Sequence, residues 1–387
     1  MKQMTAWCAE QTERQLALLK ELAAIPAPSH QEEQRVTFIK AWLEKHGAEN
    51  VRVDEALNVI LPFGEGPYTV FSAHTDVVFP DLEPLPVREE DGRLYAPGVG
   101  DDTANVTALM LCAQYLLEHP ELVKKSLLLV FNSCEEGLGN LKGVRQLCKD
   151  YEGRITRLIS FDGTMEAITE RAVGSERWKV TAATKGGHSY GAFGNPNAIA
   201  ALSGMICCLY GQPVPQANGR KTTYNVGTIR GGTSVNTIAQ SAEMLYEYRS
   251  DDKKCLEQMR QQFHSLMWQL DSEDAHFTRE LLGERPCGGD VDGRKQEALL
   301  KRCATLVKKH AGKAPKRVPM STDCNIPLSL GIPATCFGLY RGAGAHTREE
   351  WIETASLPVG LKLGLATVLD FAKKYENTQK RLSFPGK

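Results

Sequence analysis

The chain has 387 residues, enough for two or three domains or for one large core carrying an insertion. Hydrophobic residues make up 42% and charged residues 24%, an ordinary globular balance, and the formal net charge of −1 leaves no field to recruit nucleic acid or an anionic membrane. The 11 cysteines, odd in number and without a Cys-x-x-Cys pair, argue for reduced thiols and against a disulfide framework or a thiolate metal site.

The N-terminal Met-Lys-Gln-Met-Thr-Ala-Trp-Cys lacks the apolar core of a secretory signal, and no run approaches about 18 uninterrupted apolar residues. A cytoplasmic location without a membrane partner is the expectation. Residues 4–24 and 31–46 read as helices. The second opens on a capping box, Ser29-His30-Gln31-Glu32, carries the stripe Val36, Ile39, Leu43 and closes at Gly47, which gives His30 and His46 structural places at helix ends. Strands follow near 51–53 and 58–63. An apolar run from Tyr68 then ends in Ser72-Ala73-His74-Thr75-Asp76. On an extended backbone His74 and Asp76 share a face. An imidazole beside a carboxylate serves either as a base or as a metal ligand oriented by the acid.

Residues 81–99, rich in proline and acid, read as an irregular surface excursion. Gly98-Val99-Gly100-Asp101-Asp102 follows, and a helical pattern begins at about Thr103. Residues 126–132 are almost continuously apolar, as in a strand buried on both faces of a parallel sheet. That run ends in Ser133-Cys134-Glu135-Glu136-Gly137, with another helix behind it. Residues 158–161 repeat the pattern and end in Asp162-Gly163. Three buried strands thus finish in acids, at the edge where open α/β sheets build their sites. Buried acids there require a metal or a hydrogen-bonding partner.

After about Gly174 the pattern changes. Strands are expected at 178–184, 224–229, 242–249 and, more weakly, 276–281, alternating with helices at 197–210 and 253–270. That β-α-β-β-α-β order is an α+β sandwich with its own core. A glycine-rich linker, Pro286–Asp290, returns the chain to the first unit. There a helix at 294–311, a short helix after Asp323, a strand at 332–339 and a long helix at 357–375 complete it. The fold class expected is α/β, a mixed and mainly parallel sheet sandwiched by helices, with an inserted ferredoxin-like unit. The division falls at 1–174 with 288–387, and 175–287.

Five motifs in this order resemble the dizinc metallopeptidase family of peptidase T, carboxypeptidase G, aminoacylase and the succinyl-diaminopimelate desuccinylases. They are Ser-Ala-His74-Thr-Asp76, Gly-Val-Gly-Asp101-Asp102, Cys-Glu135-Glu136-Gly, Ser-Phe-Asp162-Gly and Gly-Ala-His346-Thr, spread over nearly the whole chain. The resemblance implies a zinc exopeptidase-like catalytic unit holding two Zn2+ per chain, with Co2+ or Mn2+ as possible substitutes. Asp101 would bridge the metals, His74 and Asp162 would complete one, and Glu136 with His346 the other. Glu135 would be the general base and Asp76 would orient His74. The usual Asp-Lys-Gly-Gly after the bridging residue is replaced by Asp102-Thr103-Ala104-Asn105, with no ligand lost. The family also leads one to expect a cis peptide at Asp101–Asp102. The 175–287 unit would be a lid that dimerises the chain. Its His188, in Lys185-Gly-Gly-His188, would reach a partner's active site, with Asn236 and Arg249 binding substrate. The run Met320–Asn325 resembles a loop of the family's substrate pocket.

Two imidazoles and three carboxylates without a thiolate suit zinc in a hydrolytic site. The function expected is hydrolysis of a peptide bond in small peptides by a dizinc-bound hydroxide, with Glu135 accepting the water proton and passing it to the leaving amine. Aspartate at position 162 resembles the peptidase T and dipeptidase branch. The alternatives are an N-acyl-amino-acid amidohydrolase using the same site and, behind it, a non-catalytic binding protein. Cys134, beside the expected base, has no histidine near it in sequence and is assigned no nucleophilic role.

Overall fold

The computed structural model describes residues 2–137 and 139–373. Its centre is a six-stranded sheet in the spatial order Arg52–Val53, Val59–Phe63, Leu127–Asn132, Tyr68–His74, Ile155–Ser160, Ala334–Cys336. The last four strands are parallel and Val59–Phe63 runs antiparallel to its neighbour. Every residue of Tyr68–His74 and Leu127–Asn132 is buried, because helices cover both faces. Phe71, Leu129 and Phe131 meet the helices Thr12–Ala24, Glu33–Lys45, Asn105–Glu118, Gly293–Ala311 and Leu357–Ala372 on one side. Val70, Leu128 and Val130 meet Lys142–Asp150 and the short Asn325–Ser329 on the other. Successive residues of one strand thus feed opposite cores.

Residues 174–285 build a separate four-stranded sheet in the order Thr222–Gly231, Ser241–Ser250, Gly174–Ala183, His276–Arg285, antiparallel throughout. Helices Ala198–Gly211 and Lys253–Leu270 pack on one face over Val180, Met244 and Phe277. Chain order and spatial order together are those of a ferredoxin-like unit. The other face carries Lys179, Glu243, Arg177, Glu247 and Arg249, joined by ion pairs such as Lys179–Glu243 at 3.2 Å.

Several expectations need correction. The 4–24 helix is two, Lys2–Glu10 and Thr12–Ala24. The Thr12 hydroxyl donates to the Ala9 carbonyl at 2.9 Å and competes with the helical ladder there. The capping box does not form: the helix starts at Glu33 without a side-chain cap. The 81–99 excursion contains strands Arg88–Glu90 and Arg93–Tyr95, joined through Asp91 and Gly92 at φ 50° and 74°. An Asp-Gly pair in this conformation is a hairpin signal. Its sheet is completed by Trp351–Glu353 and Gly342–Ala343 from far along the chain. A parallel pair, Ala167–Ala172 with Lys316–Met320, was also not expected. The strand expected at 332–339 is only Ala334–Cys336. The last helix is seen as far as Ala372, and residues 374–375 of its expected span lie outside the described residues. By length and apolarity Thr354–Ala372 could cross a membrane, but 61% of its apolar window is buried in the fold.

Candidate metal centre

The carboxyl ends of the parallel strands converge. Tyr68–His74 ends on His74, the turn after Leu127–Asn132 presents Glu135 and Glu136, and the segment after Ile155–Ser160 presents Asp162. Asp101 comes from the Val99–Ala104 turn ahead of helix Asn105–Glu118, where the Asp101–Asp102 peptide is cis, as expected. His346 comes from the loop between Gly342–Ala343 and Trp351–Glu353. Ligand-type atoms of His74, Asp101, Asp102 and Asp162 lie within 4.8 Å of one another, and so do those of Asp101, Glu136 and His346. Asp101 belongs to both groups. Its Oδ1 is 3.1 Å from His74 Nε2 and its Oδ2 3.3 Å from His346 Nε2, so each oxygen serves one side. His346 Nε2 is also 3.1 Å from Glu136 Oε1. All five residues expected to be ligands are therefore brought together.

Among the described residues no lysine or arginine pairs with Asp101, Glu136 or Asp162, whose close basic partners are imidazoles. Glu136 Oε1 is buried and accepts no hydrogen bond despite the nearby imidazole, as two atoms facing a common ion would do. Burial and then Asp101 push the Asp162 carboxyl up to about 7. His346 is pushed up to about 10 by its contacts with Asp101 and Glu136. Burial opposes charge on His74, but Asp102, Asp101 and Asp76 outweigh it and hold its pKa well above the ordinary range. Protons on two imidazoles thus do the work a metal pair would do, and the donor set fits a dinuclear site.

Three side chains, Asp76, Asp102 and Glu350, brace the segments that carry this cluster. Asp76 Oδ1 accepts the Glu135 N–H and Oδ2 the Glu136 N–H, each at 2.9 Å, while Oδ1 lies 3.4 Å from His74 Nδ1. Asp76 thus lies against the imidazole, whose Nδ1 is also 3.1 Å from the Asp76 backbone carbonyl, and holds the Glu135–Glu136 turn. Ser29 donates to its Oδ2 at 2.7 Å, which is where the expected helix cap has gone. Asp102 Oδ2 accepts the His74 N–H at 2.9 Å and Oδ1 accepts from Asn105, so Asp102 ties the strand end to the helix. Glu350 is buried under the bridging segment and accepts the N–H groups of Gly98, Gly100 and Asp101 at 2.8–2.9 Å. Burial raises its carboxyl to about 7 against those bonds. Nothing local in Arg348-Glu349-Glu350-Trp351 marks this role.

Glu135, 5% exposed, stands beside the cluster. Burial pushes its carboxyl up, opposed by Arg285 and His74. Arg285 Nη1 donates to Glu135 Oε1 at 3.1 Å and Nη2 to its backbone carbonyl. Cys134 does have a histidine neighbour in space, His30 Nδ1 at 3.4 Å from its sulfur. The sulfur also donates to Glu32 at 3.2 Å, and burial with Glu32 pushes the thiol up to about 12. It stays protonated at neutral pH and is no nucleophile.

The remaining candidates lie in the 174–285 unit. Gly187–His188 pairs with Thr237–Ile238, and Ser189 N donates to the Asn236 carbonyl at 2.9 Å, so His188 and Asn236 are neighbours. His188 Nδ1 accepts the N–H groups of Tyr190 and Gly191 at 3.3 and 3.2 Å. A neutral ring here must carry its proton on Nε2, as an outward donor. No bond among the described residues joins this pair to the metal-ligand cluster. Arg249, expected to bind substrate, is held by Glu247 through two bonds of 3.0 and 2.8 Å. Its neighbour Arg177, not foreseen, donates to the Gly137 carbonyl and so touches the turn after Glu136.

Residues 70–370 match the profile of peptidase family M20/M25/M40. Among curated relatives, the succinyl-diaminopimelate desuccinylase of Bordetella petrii is 25% identical over 65% of this chain and 71% of its own. The acetylornithine deacetylase of Myxococcus xanthus is 25% identical over 73% and 75%. Among solved structures, a Staphylococcus aureus tripeptidase superposes with a TM-score of 0.74 at 21% identity, covering 94% of this chain and 99% of that one. The aminopeptidase PepT of Bacillus cereus gives 0.73 at 19% identity, with the same coverage. A dinuclear metal binding peptidase of Bacillus subtilis gives 0.63 at 17% identity, covering 94% and 99%. These structures share the fold.

Proposed function

The chain belongs to the M20/M25/M40 peptidase family, and on that premise we propose that it is a dizinc exopeptidase of small peptides, an aminopeptidase or dipeptidase of the peptidase T-like kind. The observation that carries the reading is the pair of ligand groups sharing Asp101, with Glu135 beside them. His74, Asp101 and Asp162 would hold one ion and Asp101, Glu136 and His346 the other, with zinc favoured by an imidazole and carboxylate set free of thiolate. When bound, such a pair polarises the substrate carbonyl and acidifies a water. Glu135 has one carboxylate oxygen on Arg285 and Oε2 without a partner among the described residues, so Oε2 is the atom to take the water proton and return it to the leaving amine.

The 175–287 unit is read as a lid and dimerisation element, set into a catalytic unit of 1–174 and 288–387. Support comes from its separate core and from Tyr190, Phe193 and Val235 around His188, which are 90%, 90% and 103% exposed. A second copy would cover them, and His188 Nε2–H would donate to the substrate carbonyl in that copy's site. Asn236, beside it, would contact the same substrate. Arg249 would bind a substrate carboxylate by exchanging it for Glu247. All 11 cysteines are free thiols, which supports a cytoplasmic location.

A second reading, an N-acyl-amino-acid amidohydrolase, is supported by the desuccinylase and deacetylase among the relatives. No observation favours a non-catalytic scaffold. Metal content per chain, with hydrolysis of the tripeptide Leu-Gly-Gly and of N-acetylmethionine before and after chelation, separates the readings. Two ions and chelator-sensitive release of leucine are expected. Cleavage of the acylated substrate alone would transfer the assignment to the amidohydrolase. Glu135→Gln should keep both ions and lose about 10²–10⁴ in turnover; substantial residual hydrolysis would remove Glu135 from the role of base.

A further inference from the structure

Three consecutive residues lead the chain out of the 174–285 sheet, and each is fastened to the catalytic side. The Glu284 N–H donates to Asn140 Oδ1 at 2.8 Å, and the Glu284 carbonyl accepts from Arg145. The Pro286 carbonyl accepts from Asn325 Nδ2 at 2.9 Å, and the same nitrogen donates at 2.8 Å to the carbonyl of Val173 on the incoming crossing. Between them sits Arg285, the last residue of strand His276–Arg285 and 6% exposed. Besides its two bonds to Glu135, Nη1 reaches the carbonyl and hydroxyl oxygens of Ser321 at 3.3 and 3.4 Å.

Compensating a buried carboxylate needs only a nearby positive charge. This guanidinium does more: it binds one Glu135 side-chain oxygen and the carbonyl of the same residue, which limits both the rotamer and the backbone of Glu135. From the other side Asp76 holds the Glu135 N–H. Glu135 is thus clamped at its amide, its carbonyl and one carboxylate oxygen, and only Oε2 is left for proton transfer. The clamp from Arg285 depends on where residues 284–286 lie, and Glu284 and Arg285 are the last residues of strand His276–Arg285 in the second sheet.

We propose that Arg285 is a positioning residue for Glu135, which couples the seating of the 174–285 unit to the placement of the base. When residues 284–286 are seated on Asn140, Arg145 and Asn325, the guanidinium reaches Glu135 and turns Oε2 to the cluster. When they shift, the carboxylate is released and proton transfer fails. The inference rests on the reading of Glu135 as the base. It assigns to an outgoing lid strand a part in catalysis besides that of His188.

The test uses Arg285→Met, which keeps the length and removes the charge and the fork, Arg285→Lys, which keeps the charge, and Glu135→Gln, all in the full metal-loaded chain. Two readouts are taken. One is kcat and KM on whichever of Leu-Gly-Gly and N-acetylmethionine the native chain cleaves. The other is amide hydrogen exchange at Glu135 and Glu136, which needs no substrate. Arg285→Met should lower kcat about a hundredfold, the cost of displacing a catalytic group by about 1 Å, with two ions retained. KM should stay within about threefold, because substrate contacts are untouched. Exchange at the two turn amides should quicken about tenfold while the Tyr68–His74 strand stays protected. Arg285→Lys should restore part of both losses. Unchanged exchange and kcat in Arg285→Met would overturn the proposal. So would loss of protection throughout the chain with equal defects in both variants, which would mean a purely structural role. If Glu135→Gln itself turns over normally, the reading of the base has failed instead; if it is inactive while Arg285→Met is not, the coupling alone has failed.

Discussion

Replacing Asp76 by asparagine changes almost no volume and converts one acceptor oxygen into a donor. In the native chain Oδ1 accepts the Glu135 N–H at 2.9 Å, and Oδ2 accepts the Glu136 N–H at 2.9 Å and the Ser29 hydroxyl at 2.7 Å. Whichever way the new amide is turned, its NH2 meets the N–H of Glu135 or of Glu136. One hydrogen bond to a charged acceptor is lost, about 1.5–3 kcal/mol, and one buried N–H is stranded, about 1–3 kcal/mol more. The smaller sum, about 2.5 kcal/mol, already corresponds to about a sixtyfold change in an equilibrium constant at about 1.4 kcal/mol per decade. That agrees with the 10–100-fold in metal affinity typical of residues orienting ligands. We therefore expect Asp76→Asn to weaken metal binding by about 10–100-fold in competition with a chelating dye. The metal-free chain should also unfold at lower denaturant. Ser29→Ala is the internal control. It removes one bond to the charged acceptor, about 1.5–3 kcal/mol, and leaves both turn amides satisfied, so it should lack the further cost of about 1–3 kcal/mol for a stranded N–H. Native metal affinity and native unfolding in Asp76→Asn would refute the assignment of Asp76 as the support of both His74 and the Glu135–Glu136 turn.

Two further outcomes test the centre and its reach. In the metal-free chain His346 is raised to about 10, first by Asp101 and then by Glu136, and His74 is held well above the ordinary range, so both carry protons at pH 7. Both must lose them to ligate, and Asp162, raised to about 7, gives up a further fraction, so loading at pH 7 should release about two to three protons and apparent metal affinity should fall as pH falls from about 10. Calorimetry in buffers of different ionisation enthalpy measures this release, and a value near zero would contradict the ligand roles. On the proposed lid reading, His188→Ala should lose turnover while keeping both ions, since among the described residues no bond joins it to the cluster in its own chain. Mixed with Glu135→Gln it should recover activity through hybrid dimers in which one site is intact; a mixture no more active than its parts would count against a donor from the partner subunit.

Of the residues expected to be ligands, His74, Glu136 and Asp162 were legible because they stand where a buried apolar strand runs out, and an acid or imidazole at such an end has few tolerable roles, whereas Asp101, on a turn before a helix, and His346, on a loop, were legible only through the resemblance. The sheet was legible for the same reason: runs apolar on both faces can only lie between helices. Asp76 was expected beside His74, but two other supports, Glu350 and Arg285, were not legible, since each acts across a long stretch of chain. Glu350 holds Gly98, Gly100 and Asp101, and Arg285 looks like the start of a linker beside Pro286. Ser29-His30-Gln31-Glu32 shows why local rules fail at such a place. As a capping box it would satisfy N–H groups at a helix start where His30, Gln31, Glu33 and Gln34 are exposed, and water does that at little cost. The Cys134 N–H is buried with no such recourse, and leaving it unbonded would cost about 1–3 kcal/mol. Glu32 therefore turns inward and accepts it at 2.9 Å, while Ser29 turns to Asp76. A well-formed local signal that the chain declines to use marks the place where a buried demand outbids a solvated one. Here both defecting side chains end on the supports of the turn that presents Glu135 and Glu136.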